Sequence, residues 1–105
     1  AAGIHAIANA AVGFSMAIAP HNPTGPVCTA ASAHACVGLS NFSWLELQVG
    51  ETPLYDSVVQ DCGHRIADGK YHLSGAPGLG IALDMKNLAN HPGVCAKDGL
   101  DYRLG

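Results

Sequence analysis

The fold is decided by residues 14–47, FSMAIAPHNPTGPVCTAASAHACVGLSNFSWLEL. Residues 14–19 form a short run that is apolar on both faces, which is typical of a strand covered on both sides, and Pro20 ends it. A proline-rich loop follows, and Pro26 stands where the first turn of a helix accepts proline. The helical pattern closes at Gly38, and residues 42–47 resemble a second strand. Strand, helix and strand within about 30 residues predict a βαβ unit in a parallel sheet.

A further helix is predicted before the first of these strands, because apolar residues recur there at intervals of three and four. They are Ile4, Ile7, Ala8, Ala11 and Val12. Gly13 is expected to end this helix in the left-handed conformation. The alternation of helix and strand places the chain in the α/β class.

The chain changes character after residue 48, where Pro, Gly and charged residues become frequent. The pair Asp68 and Gly69 predicts a hairpin turn. Residues 79–83 alternate as in a strand, and Asp84 is a suitable N-cap for a short helix through Ala89. We therefore divide the chain into residues 1–48 and residues 49–105, and we expect the catalytic groups in the first segment.

Charge is distributed unevenly along the chain. The five basic and eight acidic residues all lie within residues 46–105, and the net charge is −3. The absence of a basic cluster argues against a nucleic-acid partner. Residues 1–20 have about the length of a membrane span but contain His5, Asn9 and Ser15 and lack charged flanks, so we expect no membrane span. We expect the uncharged first half to be covered in a larger assembly, with a homo-oligomer as its form.

Cysteines stand at positions 28, 36, 62 and 95, and no pair has the two-residue gap of a zinc or redox motif. We expect buried, reduced thiols in a cytoplasmic protein, and no metal site built from these residues.

Two residues are candidates for chemistry, since parallel α/β folds carry their sites at the carboxyl ends of strands. His21 follows the first strand, and Glu46 lies near the end of the second. Adjacent strands lie ~4.8 Å apart, so both side chains are within reach of one small ligand. Imidazole titrates near neutral pH, and a carboxylate in an apolar run is costly to bury unless it is paired. The alternatives are a loop histidine bonded to backbone and a strand-end glutamate that meets solvent.

Three motifs together carry a family resemblance. They are APHNPTGPV at residues 19–27, NFSWLELQ at 41–48 and DGKYHLSGAPGLGIALD at 68–84. In this order they resemble the mandelate racemase and sugar-acid (galactonate-type) dehydratase branch of the enolase superfamily. The stretch AAGIHAIANAA resembles, more weakly, the turn and helix that follow the sixth barrel strand.

The resemblance implies a fold and a reaction. The first segment would supply strands seven and eight of a TIM-type barrel, and residues 49–105 would complete an α+β capping domain. In such enzymes Mg²⁺ binds the carboxylate of a sugar acid, and a base removes the α-proton. His21 matches the general acid that protonates the leaving β-hydroxyl, or the base of the racemases. Glu46 matches the residue that hydrogen-bonds the substrate carboxylate.

The departures from the family pattern are equally specific. The three metal-binding carboxylates of the family, and the acid/base of its earlier strands, have no counterpart in this chain. The resemblance therefore implies that Mg²⁺ belongs to a longer enzyme and that this chain alone is inactive. The alternatives are a racemase or epimerase of the same superfamily, and a non-catalytic α/β module that binds a protein partner.

Overall fold

The computed structural model describes residues 2–48, 50, 53–60 and 64–91. The helices are α1 (Ala2–Val12), α2 (Pro26–Val37), α3 (Leu54–Ser57) and α4 (Met85–Ala89). The strands are β1 (Val59–Gln60), β2 (Arg65–Ala67), β3 (Lys70–His72) and β4 (Ala82–Leu83). Both helices predicted in the first segment are thus confirmed. Within the described residues, no helix has the length and apolar character needed to cross a membrane.

The end of α1 differs from the prediction. The left-handed residue is Ser15, with a φ of 54°, and not Gly13. The carbonyl of Ala11 accepts hydrogen bonds from the amides of both Phe14 and Met16, each at 3.0 Å. The chain therefore winds further before it reverses, and the first residues of the predicted strand 14–19 belong to this turn.

The two strands predicted in the first segment are parallel neighbours but much shorter than expected. They meet at a single parallel bridge between Ile18 and Phe42. The amide of Ile18 donates to the carbonyl of Asn41 at 2.8 Å, and the amide of Ser43 donates to the carbonyl of Ile18 at 2.9 Å. The predicted parallel pairing is confirmed at this bridge. The prediction of continuous strands over residues 14–19 and 42–47 is wrong.

Proline explains why this ladder stops. The next donor on the first strand would be Pro20, which has no amide hydrogen. Its carbonyl oxygen accepts a hydrogen bond from the amide of Glu46 at 3.4 Å. In a regular parallel ladder the donor would be Leu45, so the register has shifted by one residue.

The core of the described chain is small. Its buried apolar residues are Ala8, Ala30, Ala33, Ala35 and Cys36. The largest fully buried side chains are the polar ones of Asn22 and Thr29. Large apolar side chains such as Phe14 and Trp44 are exposed. Because alanine buries little apolar surface, hydrophobic packing among the described residues stabilises the fold only modestly.

The described residues of the second segment contain two antiparallel strand pairs. β2 and β3 form the predicted hairpin, with Asp68 (φ 52°) and Gly69 (φ 69°) in its two-residue turn. Two successive positive φ angles define a type I′ turn, which suits the twist of the strands. β1 pairs with β4. Among the described residues, β4 is the only part of the predicted strand 79–83 that forms ladder contacts. The Oδ1 atom of Asp84 accepts from the amide of Asn87 at 2.9 Å, which confirms the predicted cap of α4.

A histidine fixes the turn that precedes β4. Nε2 of His64 donates to the carbonyl of Leu79 at 2.7 Å, while Nδ1 accepts from the amide of Ser74 at 2.8 Å. Nε2 of His34, on α2, lies 3.3 Å from the same carbonyl oxygen of Leu79. The first and second segments are therefore in contact here, and their division into residues 1–48 and 49–105 stays a prediction.

Candidate functional site

The two candidate residues of the sequence lie in direct contact. Nδ1 of His21 is 2.6 Å from Oε2 of Glu46. The side chain of His21 is 72% exposed and that of Glu46 is 52% exposed. The structure thus brings both groups to one edge of the first segment, where a ligand from solvent can reach them.

Local backbone geometry explains this contact. Residues 41–47 alternate between less and more exposed positions, as an extended chain does, and Phe42, Trp44 and Glu46 share the more exposed face. The hydrogen bond from the amide of Glu46 to the carbonyl of Pro20 holds this face beside the residue that follows, His21. Glu46 is therefore a half-exposed carboxylate that is paired with His21, so it meets solvent, as the alternative interpretation allowed, and carries little burial cost.

The pair is chemically versatile. When Nδ1 of His21 carries a hydrogen, it donates to the carboxylate of Glu46, which fixes the orientation of the ring. The opposite ring nitrogen, Nε2, is then the atom available to exchange a proton with a ligand. Because both side chains are well exposed, such an ion pair contributes little to stability. The arrangement is suited to proton transfer rather than to holding the fold together.

A buried hydrogen-bond network lies immediately beside His21, and the sequence analysis did not identify it. Nδ2 of Asn22 donates to Oγ1 of Thr29 at 2.9 Å, and Oδ1 of Asn22 accepts from Oγ of Ser32 at 3.4 Å. The hydroxyl of Tyr55, from the second segment, is 2.7 Å from Oγ1 of Thr29. The available signal was a short amide residue next to the candidate histidine, at the entrance to a helix with Thr and Ser on one face.

Metal-binding groups are not gathered in the described residues. No three His, Cys, Asp or Glu side chains there lie close enough to hold an ion. The part of the chain that the structure describes therefore offers no cluster of side chains that could hold a magnesium ion.

The cysteines differ from one another. Cys36 is buried, and this burial raises the pKa of its thiol. Cys28 is exposed, so the expectation of a buried thiol is wrong at that position. Cys62 and Cys95 lie outside the described residues.

An apolar groove of about 630 Å³ lies between the end of α2 and the hairpin, and Leu45 and Leu47, the neighbours of Glu46, line part of it. Val37, Trp44, Ile66 and Tyr71 are among its lining residues, and neither His21 nor Glu46 is. The two candidate side chains therefore do not open into this groove.

Comparisons with known proteins agree with one another. The family model described as Enolase C-terminal domain-like matches residues 2–87. A D-galactonate dehydratase family member of Oceanicola granulosus is 38% identical over 81 residues, and the alignment covers 70% of this chain and 20% of that protein. A D-gluconate/D-galactonate dehydratase of Picrophilus torridus is 40% identical over 73 residues, covering 70% of this chain and 18% of that protein. The chain spans about a fifth of the length of these curated relatives.

The backbone is also similar to a solved structure. The crystal structure of a mandelate racemase/muconate lactonizing enzyme-like protein from Rubrobacter xylanophilus superimposes with a TM-score of 0.75 at 36% identity. The match covers 86% of this chain and 23% of that one.

Proposed function

The chain belongs to the Enolase C-terminal domain-like family, in the sugar-acid dehydratase branch of the enolase superfamily, and we propose that it supplies the general acid of an enzyme that dehydrates sugar acids. The resemblance found in the three sequence motifs is confirmed by these matches. The enolase C-terminal domain is a TIM-barrel type α/β fold, which confirms the fold class at that level. We also propose that residues 1–48 provide strands seven and eight of the barrel. Residues 49–105 would then form the end of a capping domain.

The observation that carries the proposal is the 2.6 Å contact between His21 and Glu46. In the proposed reaction a base elsewhere in the enzyme removes the α-proton of the sugar acid. His21 then donates the proton on Nε2 to the leaving β-hydroxyl, which departs as water, and Glu46 orients both the imidazole and the substrate carboxylate. The resulting enol tautomerises to a 2-keto-3-deoxy acid.

Members of the superfamily generally use Mg²⁺, which when bound stabilises negative charge that develops on the substrate carboxylate. We expect its ligands outside the residues that the structure describes. For the same reason we expect the 105-residue chain to be inactive without the remainder of such an enzyme.

A second candidate reaction uses the same two residues. The structural match to a mandelate racemase/muconate lactonizing enzyme-like protein favours a racemase or epimerase. In that reaction His21 would return a proton to the α-carbon, and no water would be lost. A cytoplasmic homo-oligomer that binds a sugar acid and no nucleic acid or membrane stays our prediction for the complete protein.

The test uses the full-length polypeptide that carries this sequence, with Mg²⁺ and D-galactonate or D-gluconate in deuterated water. Proton NMR is expected to show a 2-keto-3-deoxy acid, and chelation with EDTA is expected to stop its formation. His21→Asn should lower kcat by about 10² to 10⁴, which is the usual contribution of a positioned acid or base. His91→Asn, at an exposed position after α4, is the control.

The outcomes separate the candidates. Release of keto acid by the wild-type protein, lost in the His21 variant, supports the dehydratase. Epimerisation with deuterium incorporation and no keto acid would replace it by the racemase. Full activity of His21→Asn would overturn the proposed role of His21.

A further inference from the structure

The fold buries three polar side chains next to the site, those of Asn22, Thr29 and Ser32, while it leaves large apolar ones exposed. Asn22 is 1% exposed and Thr29 is 2% exposed. Burial of an amide or a hydroxyl costs free energy unless each of its polar atoms finds a partner. The position of Asn22, directly after His21, therefore requires an explanation beyond hydrophobic packing.

Almost every polar side-chain atom of Asn22 and Thr29 has a hydrogen-bond partner. The amide of Asn22 donates to Thr29 and accepts from Ser32, and these two residues share one face of α2. The hydroxyl of Thr29 has one hydrogen, which points to the carbonyl of Gly25 at 3.3 Å. Its two lone pairs then accept from Asn22 and from the hydroxyl of Tyr55.

We propose that Asn22 is a positioning residue for His21, and that the Tyr55–Thr29 hydrogen bond makes this positioning depend on the second segment. The proposal rests on the dehydratase function proposed above. Prolines at positions 20 and 23 have fixed φ angles, so the backbone freedom between these two prolines lies in His21 and Asn22. Fixing the side chain of Asn22 on α2 removes much of that freedom.

The consequence for catalysis is geometric. His21 must direct Nε2 at a leaving hydroxyl while Nδ1 remains on Glu46. A misplacement of about 1 Å at a reacting group costs about 10²-fold in rate. Because Asn22 and Thr29 are buried and offer almost no surface to a ligand, their loss should lower kcat more than it raises KM.

Variants of the full-length polypeptide that remove or restore single hydrogen-bonding groups provide the test. Thr29→Val removes the hydroxyl and keeps the shape, whereas Thr29→Ser keeps the hydroxyl. Tyr55→Phe removes one hydroxyl and leaves no large cavity, and Asn22→Ala removes the whole amide. We expect dehydration by Asn22→Ala and Thr29→Val to fall about 10²-fold in kcat at nearly constant KM, with a smaller loss for Tyr55→Phe and recovery in Thr29→Ser.

Two readouts separate a positioning role from a structural one. Exchange of the substrate α-proton with deuterated solvent reports the step that precedes His21, and it should be unchanged in folded variants. The NMR signals of the ¹⁵N-labelled His21 imidazole should shift or broaden in Thr29→Val and return in Thr29→Ser. Thermal melting identifies any variant that fails to fold, and Tyr55→Phe then remains as the least disruptive probe.

The failures are distinguishable. Folded Thr29→Val and Tyr55→Phe proteins with wild-type kcat and unchanged His21 signals would overturn the positioning role. Wild-type protein that dehydrates no sugar acid would overturn the dehydratase, even if the His21 signals still respond to Thr29→Val.

Discussion

The amide of Glu46 donates a hydrogen bond to the carbonyl oxygen of Pro20, the residue before His21. This bond fixes the backbone of Glu46 beside the loop that carries His21. The bond occurs one residue later than a regular parallel ladder would place it. The proximity of the two candidate side chains is therefore held by main-chain geometry, and their own 2.6 Å contact adds to it.

Removal of the Glu46 carboxylate should therefore impair catalysis without unfolding the site. We expect Glu46→Ala to lower kcat/KM for a sugar acid by about 10²-fold in the full-length protein, because His21 loses its orienting partner. Glu46→Gln, which keeps hydrogen-bonding atoms, should lose less. The control is Asp68→Asn, which removes a carboxylate from the hairpin turn and keeps a residue that accepts positive φ. Equal kcat/KM for wild type and Glu46→Ala would contradict the role assigned to Glu46.

Three glycines around the turn before β4 should respond differently to alanine. Gly75 has ordinary φ and open space, so Gly75→Ala should be nearly neutral. Gly78 has a φ of +68° and open space, so alanine should cost about 1–2 kcal/mol through the backbone alone. Gly80 has the same φ, and an added Cβ would collide with Oγ of Ser74 and crowd the ring of His64. Gly80→Ala should thus be the most destabilising of the three in urea unfolding. Equal unfolding midpoints for all three variants would contradict the backbone conformation and packing described for this turn.

The two described cysteines should differ in reactivity. The thiolate is the reactive form, and burial raises the pKa of the Cys36 thiol. Iodoacetamide at neutral pH should therefore modify Cys28 well before Cys36, as followed by peptide mass spectrometry. Because the folded state holds the Cys36 proton more tightly, its contribution to stability is complete below the ordinary thiol pKa. That contribution decreases as the pH rises through the folded pKa. Faster labelling of Cys36 than of Cys28 would contradict the structure.

The 105-residue chain should associate when it is produced alone. Phe14, Val37 and Trp44 are exposed, and exposed apolar groups of this size promote contact with other molecules. We expect an apparent mass in light scattering that increases with concentration. The emission of Trp44, the single tryptophan, should move to shorter wavelength as association proceeds. A monomer at all concentrations with fully water-exposed Trp44 emission would rule this out.

Local chemistry made part of the fold predictable. The turn at Asp68 and Gly69 and the cap at Asp84 depend on residues within a few positions of each other, so the sequence pattern was sufficient. The meeting of His21 and Glu46 was also predictable, because it follows from parallel neighbours. The lengths of those strands were not, since Pro20 interrupts the ladder and the shift at Glu46 depends on both strands together.

Non-local contacts account for what the sequence did not reveal. Asn22 pairs with Thr29 seven positions later, and Thr29 with Tyr55 a further 26 positions along. Asn22 lies outside α2, so helical periodicity does not link it to Thr29, and a polar network has no signature in hydropathy. Ser15 takes the left-handed angle expected at Gly13 because the carbonyl of Ala11 accepts two amides, which a one-residue capping rule does not anticipate.

The alanine-rich interior changes what exposure means for mutational tolerance. Usually a buried position is sensitive to substitution and an exposed one is tolerant. Among the described residues the buried apolar ones are mainly alanines, and large side chains such as Phe14 and Trp44 face outward. In any protein whose other parts cover that outer face, a scan of substitutions would find Phe14 and Trp44 behaving as interior positions. The exposure of these residues in the isolated chain would then rank such variants in the wrong order.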